Sequence, residues 1–303
     1  MSIDEGIAGF GLTELAADNK LHRILSAALG ERGVATTPAD VHSIYWEASY
    51  FSLDRVSIFS AASPLEQQQI LHQLNQELLQ ESLSIEQAGV GYMAKMVLMA
   101  ENAQERMLYS LFAADETTHL ALLLPYGTPY AHPSDPFLQL LSEIVDSADK
   151  AVLLFVLQVV LEGWGLTHYR QLARGCCDRT LKSLFQSFLQ AEARHHGTGI
   201  TLFNQTDLSV SSQAAIVDCL ATFLQMVRVG PQRVLGAIAT HIGPLSRPQR
   251  IRVLRQLNTA GHAHQRLQLL RSLMFSASHD IVERLEHQGL FSPLSPEEAA
   301  SYG

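Results

Sequence analysis

Apolar residues recur at intervals of three and four along most of the chain. Runs of alternating Val, Ile, Thr or aromatic residues between turn clusters are almost absent. That period is helical, so the chain is expected to be all-α. A first helix is expected over roughly 10–29, stopped by Gly30 and Gly33. A second opens at Pro38, with Thr37 as its N-cap, and runs to about Ser60. Ser63-Pro64 starts a long helix that continues to about Leu98, and a turn near Glu101-Asn102 leads to another over about 103–124. Four prolines in the twelve residues from Pro125 to Pro136 exclude a helix there. Extended at ~3.3 Å per residue, that segment spans roughly 40 Å, about the length of a 30-residue helix, so it can cross a whole bundle. Further helices are expected from about 137 to Arg174, with a break near Ser147, and from about 178 to 203 after a turn at Gly175. A polar stretch, Asn204 to Ser212, precedes a helical region of about 213–275, and the tail from Ser292 to Gly303 is expected to be loose.

Composition narrows the class. The chain has 303 residues, 47% hydrophobic and 17% charged, with a net charge of -9. The longest apolar run, Ala151 to Val160, is about half the ~20 residues of a membrane span. The acidic start, Met1-Ser-Ile-Asp-Glu, lacks the pattern of a secretory signal. Three cysteines (Cys176, Cys177 and Cys219) imply no disulfide framework. A cytoplasmic protein without a membrane partner is the expectation.

Two Glu-x-x-His units carry the chemistry, Glu116-Thr-Thr-His119 and Glu192-Ala-Arg-His195. Residues three apart share a helical face, so each unit aims a carboxylate and an imidazole at one spot. Chance gives roughly one such unit in a chain of this composition, so the motif alone is weak. The spacing changes the odds. Glu86 lies 30 residues before Glu116, and Glu162 lies 30 before Glu192, each pair straddling an expected turn near its midpoint. Folding each hairpin brings its two carboxylates to the same height. Glu162 follows Val159, Val160 and Leu161, where a bare carboxylate costs several kcal/mol and calls for a cation or a proton. Four carboxylates and two imidazoles neutralise two divalent ions, and that donor mix suits iron or manganese.

With these residues the sequence resembles the ferritin-like di-iron carboxylate superfamily, in which two helices give a Glu each and two give Glu-x-x-His. The resemblance covers about 64–203, including the long crossover. It implies a ferritin-like four-helix bundle over 64–203, N-terminal helices over 1–63 covering it and a C-terminal helical region over 213–291. It implies Glu86, Glu116, His119, Glu162, Glu192 and His195 as metal ligands, with Glu116 and Glu192 bridging. The cofactors would be two iron ions, or a manganese/iron pair, with dioxygen as co-substrate. The expected activity is a dimetal oxidoreductase (an oxygenase or oxidase) acting on a small apolar or amine-bearing substrate, with an external electron donor. The alternative is a ferroxidase or iron-handling ferritin-like protein. Leu123 stands where a radical-bearing reductase subunit would have tyrosine, and Phe188 stands where an arylamine oxygenase would have a third histidine. No Cys-x-x-Cys pair provides a rubredoxin-like domain.

Neighbouring residues have more ordinary readings. Asp115 either supports a ligand histidine or faces solvent, and Glu81, five residues before Glu86, either serves an expanded site or is a polar flank. His196 points away from its neighbour His195, and His168 is structural. Phe112, Phe185, Phe188, Tyr92, Tyr109 and Tyr169 are core. Gly89 and Gly165, each three residues after a glutamate, either open space beside the metals or allow close helix approach.

Charge is uneven. The 61 residues from Cys219 to His279 hold eight arginines and no Asp or Glu, leaving -17 for the rest of the chain. With two phenylalanines as its only aromatic residues, this stretch does not suit nucleic acid. Two readings follow. Either Arg247, Arg250 and Arg255 dock the C-terminal helices onto the acidic bundle, or they bind an anionic partner or carrier.

Overall fold

The computed structural model describes residues 6–10, 12, 18–34, 43–127 and 135–302. Those residues are helical with no strand among them, as the period of three and four requires. The helices are α1 (Lys20–Glu31), α2 (Ser57–Ser60), α3 (Pro64–Met99), α4 (Ala103–Leu123) and α5 (Pro136–Asp146). They continue with α6 (Lys150–Gly175), α7 (Arg179–Phe203), α8 (Val210–Val229), α9 (Gln232–Ile242) and α10 (Arg247–Gln256). The last are α11 (Thr259–Phe275), α12 (His279–His287) and α13 (Pro296–Ala299). The chain forms two compact units, one from Met1–Ser43 with Gln76–Lys150, the other from Ile44–Asn75 with Ala151–Gly303.

Local chemistry sets the helix ends. Ser63 and Glu66 form a capping box at the start of α3: the Glu66 carboxylate accepts from the Ser63 N–H at 2.7 Å, and the Glu66 N–H donates to Ser63 Oγ at 3.3 Å. The Ser63 hydroxyl and N–H hold the Glu66 carboxyl below its usual range. Asn102 caps α4 through the Glu105 N–H. Asp135 caps α5 with Pro136 at its first position, and Asp178 caps α7.

In the first unit, α5 buries Leu138, Leu141, Ile144 and Val145 on one face. Its C-terminal end is held by Lys95, whose ammonium donates to the carbonyls of Val145 (2.7 Å) and Ser147 (2.5 Å). Residues 6–9 cross α3 at Gly91, where a Cβ would lie 1.9 Å from the Ile7 carbonyl oxygen. The Gln87 amide donates to the Gly9 carbonyl at 2.7 Å and fixes that crossing. The first helix begins at Lys20, ten residues later than expected, with Asn19 as its cap.

In the second unit, the expected helix from Pro38 to Ser60 forms only at its end, as a 3-10 turn and α2; its start at Thr37-Pro38 lies outside the described residues. Residues 44–47 are irregular and 48–52 are turns, followed by a short 3-10 segment and α2. The reason is Asn75. Its Oδ1 accepts the Tyr45 and Trp46 N–H groups, both at 2.8 Å, and its Nδ2 donates to the carbonyls of Trp46 and Leu71. A side chain thereby takes the place of helical partners for this backbone. The Trp46 indole is fully buried and donates to the Leu172 carbonyl at 2.9 Å.

Residues 151–160 of α6 are all buried, and Leu153–Leu161 have π-helical register. By length and composition α6 and α8 are long and apolar enough to cross a membrane; 61% of the α6 window is buried inside the protein and 39% of the α8 window. The run looked too short in the sequence because Lys150 and Glu162 bracket it.

The tail is packed, not loose. Leu294, Ala299 and Ala300 are buried in an apolar cluster with Val253, Leu254 and Ile238, and Ser295 with Glu298 forms a second capping box. All three arginines reach into this tail. Arg247 donates to the Glu297 carbonyl (3.2 Å), Arg250 to the Tyr302 carbonyl, and Arg255 to the Glu297 carboxylate. Glu297 is held below the usual carboxylate range by a backbone hydrogen bond first and by Arg255 and Arg247 next. A carboxyl with a depressed folded value stabilises above its unfolded value and loses that contribution as pH falls through the folded one. Replacing the three arginines with Gln is expected to expose the tail to proteases at neutral pH. In the wild type the tail should stay protected until pH drops below the ordinary carboxylate range. Equal cleavage of variant and wild type at neutral pH would show that the arginines do not hold it.

Candidate metal centre

Each unit brings three of the expected ligands together. In the first, Glu86 comes from α3 and Glu116 and His119 from successive turns of α4; all three are buried. The link between α3 and α4, residues 100–102, lies midway between Glu86 and Glu116, so the two carboxylates meet at one height. One ligand atom from each of the three lies within 4.8 Å of the others. Glu86 Oε2 and His119 Nδ1 are 3.1 Å apart, within hydrogen-bond range. Gly89 is bare because Glu116 fills its space: a Cβ there would sit 2.5 Å from Glu116 Oε2. Its role is to admit the carboxylate, which neither sequence reading anticipated.

In the second unit, Glu162 comes from α6 and Glu192 and His195 from α7, again straddling a short link, residues 176–178. One ligand atom from each lies within 4.8 Å of the others. This triad is looser. His195 Nδ1 is 3.8 Å from Glu192 Oε2 and 4.0 Å from Glu162 Oε2, beyond hydrogen-bond range. His195 is fully buried, whereas the Glu162 side chain keeps 15% exposure. A Cβ at Gly165 would meet nothing within 4 Å, so the resemblance between Gly89 and Gly165 is one of sequence only.

The donor set of each half, two carboxylates and an imidazole, fits a hard or borderline divalent ion. The buried Glu/His residues can therefore bind metal, which is compatible with a di-iron site.

The flanking residues take structural places. Asp115 and Glu81 are half-buried. His168 lies against the rings of Trp164 and Tyr169. Phe185, Phe188 and Tyr169 form one aromatic cluster, with Tyr169 stacked on Phe185 at 5.7 Å. Tyr109 and Phe112 pack edge to face at 5.8 Å. Cys176 is buried, which pushes its thiol up to about 11 and leaves it protonated at neutral pH.

Sequence reasoning passed over Gln158, which is fully buried in the middle of α6. The available signal was a lone amide among nine apolar residues, four positions before Glu162. Compared with family models, curated proteins and solved structures, the chain gives no match.

Proposed function

We propose that the two triads together form one dimetal centre of the ferritin-like carboxylate type, and that the protein is a non-haem oxidoreductase that uses dioxygen to oxidise a small organic substrate. The observation that supports this best is the repeat: a lone Glu and a Glu-x-x-His unit, 30 residues apart, converge twice on buried clusters whose ligand atoms lie within 4.8 Å. One such triad in a helical protein has ordinary explanations. Two with equal spacing point to two ions held alike.

In this reading Glu86, His119, Glu162 and His195 would each hold one ion, and Glu116 and Glu192 would be shared between the two. Bound iron, or a manganese/iron pair, supplies the electrons and Lewis acidity for dioxygen reduction. The protein's own residues do the rest. His119 Nδ1 and Glu86 Oε2 already face each other at 3.1 Å, and a proton held between them would have to move off both atoms, for the imidazole to Nε2, before both took an ion. The ten buried residues 151–160 give the segment before Glu162 an apolar, water-poor surrounding, and a Cβ at Gly165 would meet open space. An external electron donor is part of this reading. A cytoplasmic location goes with this chemistry. An anionic partner or carrier that used Arg247, Arg250 and Arg255 would share them with the tail.

The test is to load the protein anaerobically with Fe(II), add air with a panel of small apolar and amine substrates, and follow oxygen uptake and organic product. The proposal predicts product in proportion to oxygen consumed, at two irons per chain. Continued Fe(II) oxidation well beyond two per chain, on a particle of cage size, would show the ferroxidase alternative instead.

A further inference from the structure

The π register of α6 has a consequence for α7. The Glu162 N–H donates to the Leu157 carbonyl, five residues back, at the C-terminal end of the π stretch. Where such a ladder returns to α register, the next N–H bonds four residues back, and one carbonyl is passed over. Here that is the carbonyl of Gln158. A buried carbonyl needs a partner, and His196 supplies it, with Nδ1 at 3.0 Å from Gln158 O. Since the carbonyl only accepts, the imidazole must donate from Nδ1. The Gln158 side chain works in the opposite direction: its Nε2–H donates to the His195 carbonyl at 3.2 Å. Two hydrogen bonds thus run between one residue of α6 and two adjacent residues of α7.

Two glycines make room for this pair. A Cβ at Gly199 would lie 2.3 Å from Gln158 Cβ, so only a bare residue lets α7 come this close. A Cβ at Gly163 would lie 2.7 Å from His196 Cε1. The glycines, the amide and the imidazole all serve one helix–helix register, with Glu162 one turn from Gln158 and Glu192 one turn from His196.

We propose that Gln158 and His196 are positioning residues, a two-way clamp that fixes α6 against α7 and so sets the geometry of the Glu162–Glu192–His195 triad. The proposal rests on the dimetal reading of that triad. His196 holds no metal in it; its contribution is to satisfy the carbonyl that the π stretch strands. The looseness of this triad relative to Glu86–Glu116–His119 makes its geometry the more dependent on outside support.

The test titrates the full-length protein with Co(II) alone, following stoichiometry and d–d absorption, with far-UV circular dichroism as the folding control. His196→Ala and Gln158→Leu are expected to weaken one of two bound ions by about 10–100-fold and to alter its absorption bands, as loss of a ligand-orienting partner does. His196→Asn, whose amide nitrogen can take the place of Nδ1, should restore most of the affinity. If all three variants bind Co(II) with wild-type affinity and spectrum, the clamp is wrong and the dimetal reading stands. If the wild type binds no Co(II), the dimetal reading fails. The clamp is then decided in metal-free protein, where 15N spectra of neutral His196 must show the proton on Nδ1; a proton on Nε2 overturns it.

Discussion

Glu116→Ala protein purified after growth in iron-supplied medium is expected to carry almost no metal, and Glu162→Ala about half the wild-type amount, as removal of a bridging and a terminal ligand respectively would give. The difference between the two variants matters as much as the losses. Glu116 is buried in α4 against Gly89, and in the proposed centre it would serve both ions, whereas Glu162 would serve one. Stability of the metal-free protein should move the other way. Each substitution deletes a carboxylate whose desolvation only metal fully compensates, so the apo variants should melt at or above the wild-type temperature. Metal analysis of the purified proteins and thermal melts with chelator check both halves. Equal metal in wild type and both variants would place any metal elsewhere.

The second large effect is on stability and has no connection with metal. Asn75→Ala is expected to destabilise the protein by about 2–4 kcal/mol, because it strips partners from several buried backbone groups at once. The Tyr45 and Trp46 N–H groups and the Trp46 carbonyl all lose their bond to this one side chain. Trp46, fully buried beside Tyr50 and Phe185, reports the change: its emission should shift to the red as residues 44–52 loosen. Chemical denaturation followed by fluorescence measures it. A loss under about 0.5 kcal/mol would show that water or neighbouring side chains replace Asn75 easily.

The long helices were legible because their ends carry local signals. Ser63-Pro64, Asn102, Asp135-Pro136 and Asp178 each act within one turn, and a reader of the sequence can apply the same capping rules the chain obeys. The two ligand triads were legible for a related reason: hairpin geometry converts a spacing of 30 residues about a turn into shared height. What could not be read depends on distant partners. Residues 44–52 have apolar periodicity, but Asn75, about 30 positions away, captures their backbone. The tail reads as a loop of Ser, Pro and Glu, yet Arg247, Arg250 and Arg255 and an apolar cluster hold it. The arginines stand out in the sequence as a charge anomaly, but nothing local says that the groups they reach include the Glu297 carbonyl and carboxylate and the Tyr302 carbonyl. The π register of α6 is likewise not announced by the period of its nine residues.

The central claim is that Glu86, Glu116, His119, Glu162, Glu192 and His195 hold two metal ions in common. It is tested most directly by crystals of the iron- or manganese-loaded protein measured at the metal's absorption edge. Two anomalous peaks about 3.5–4 Å apart, enclosed by all six side chains, are the predicted result. A single peak, peaks far apart with three ligands each, or none near these residues would contradict it.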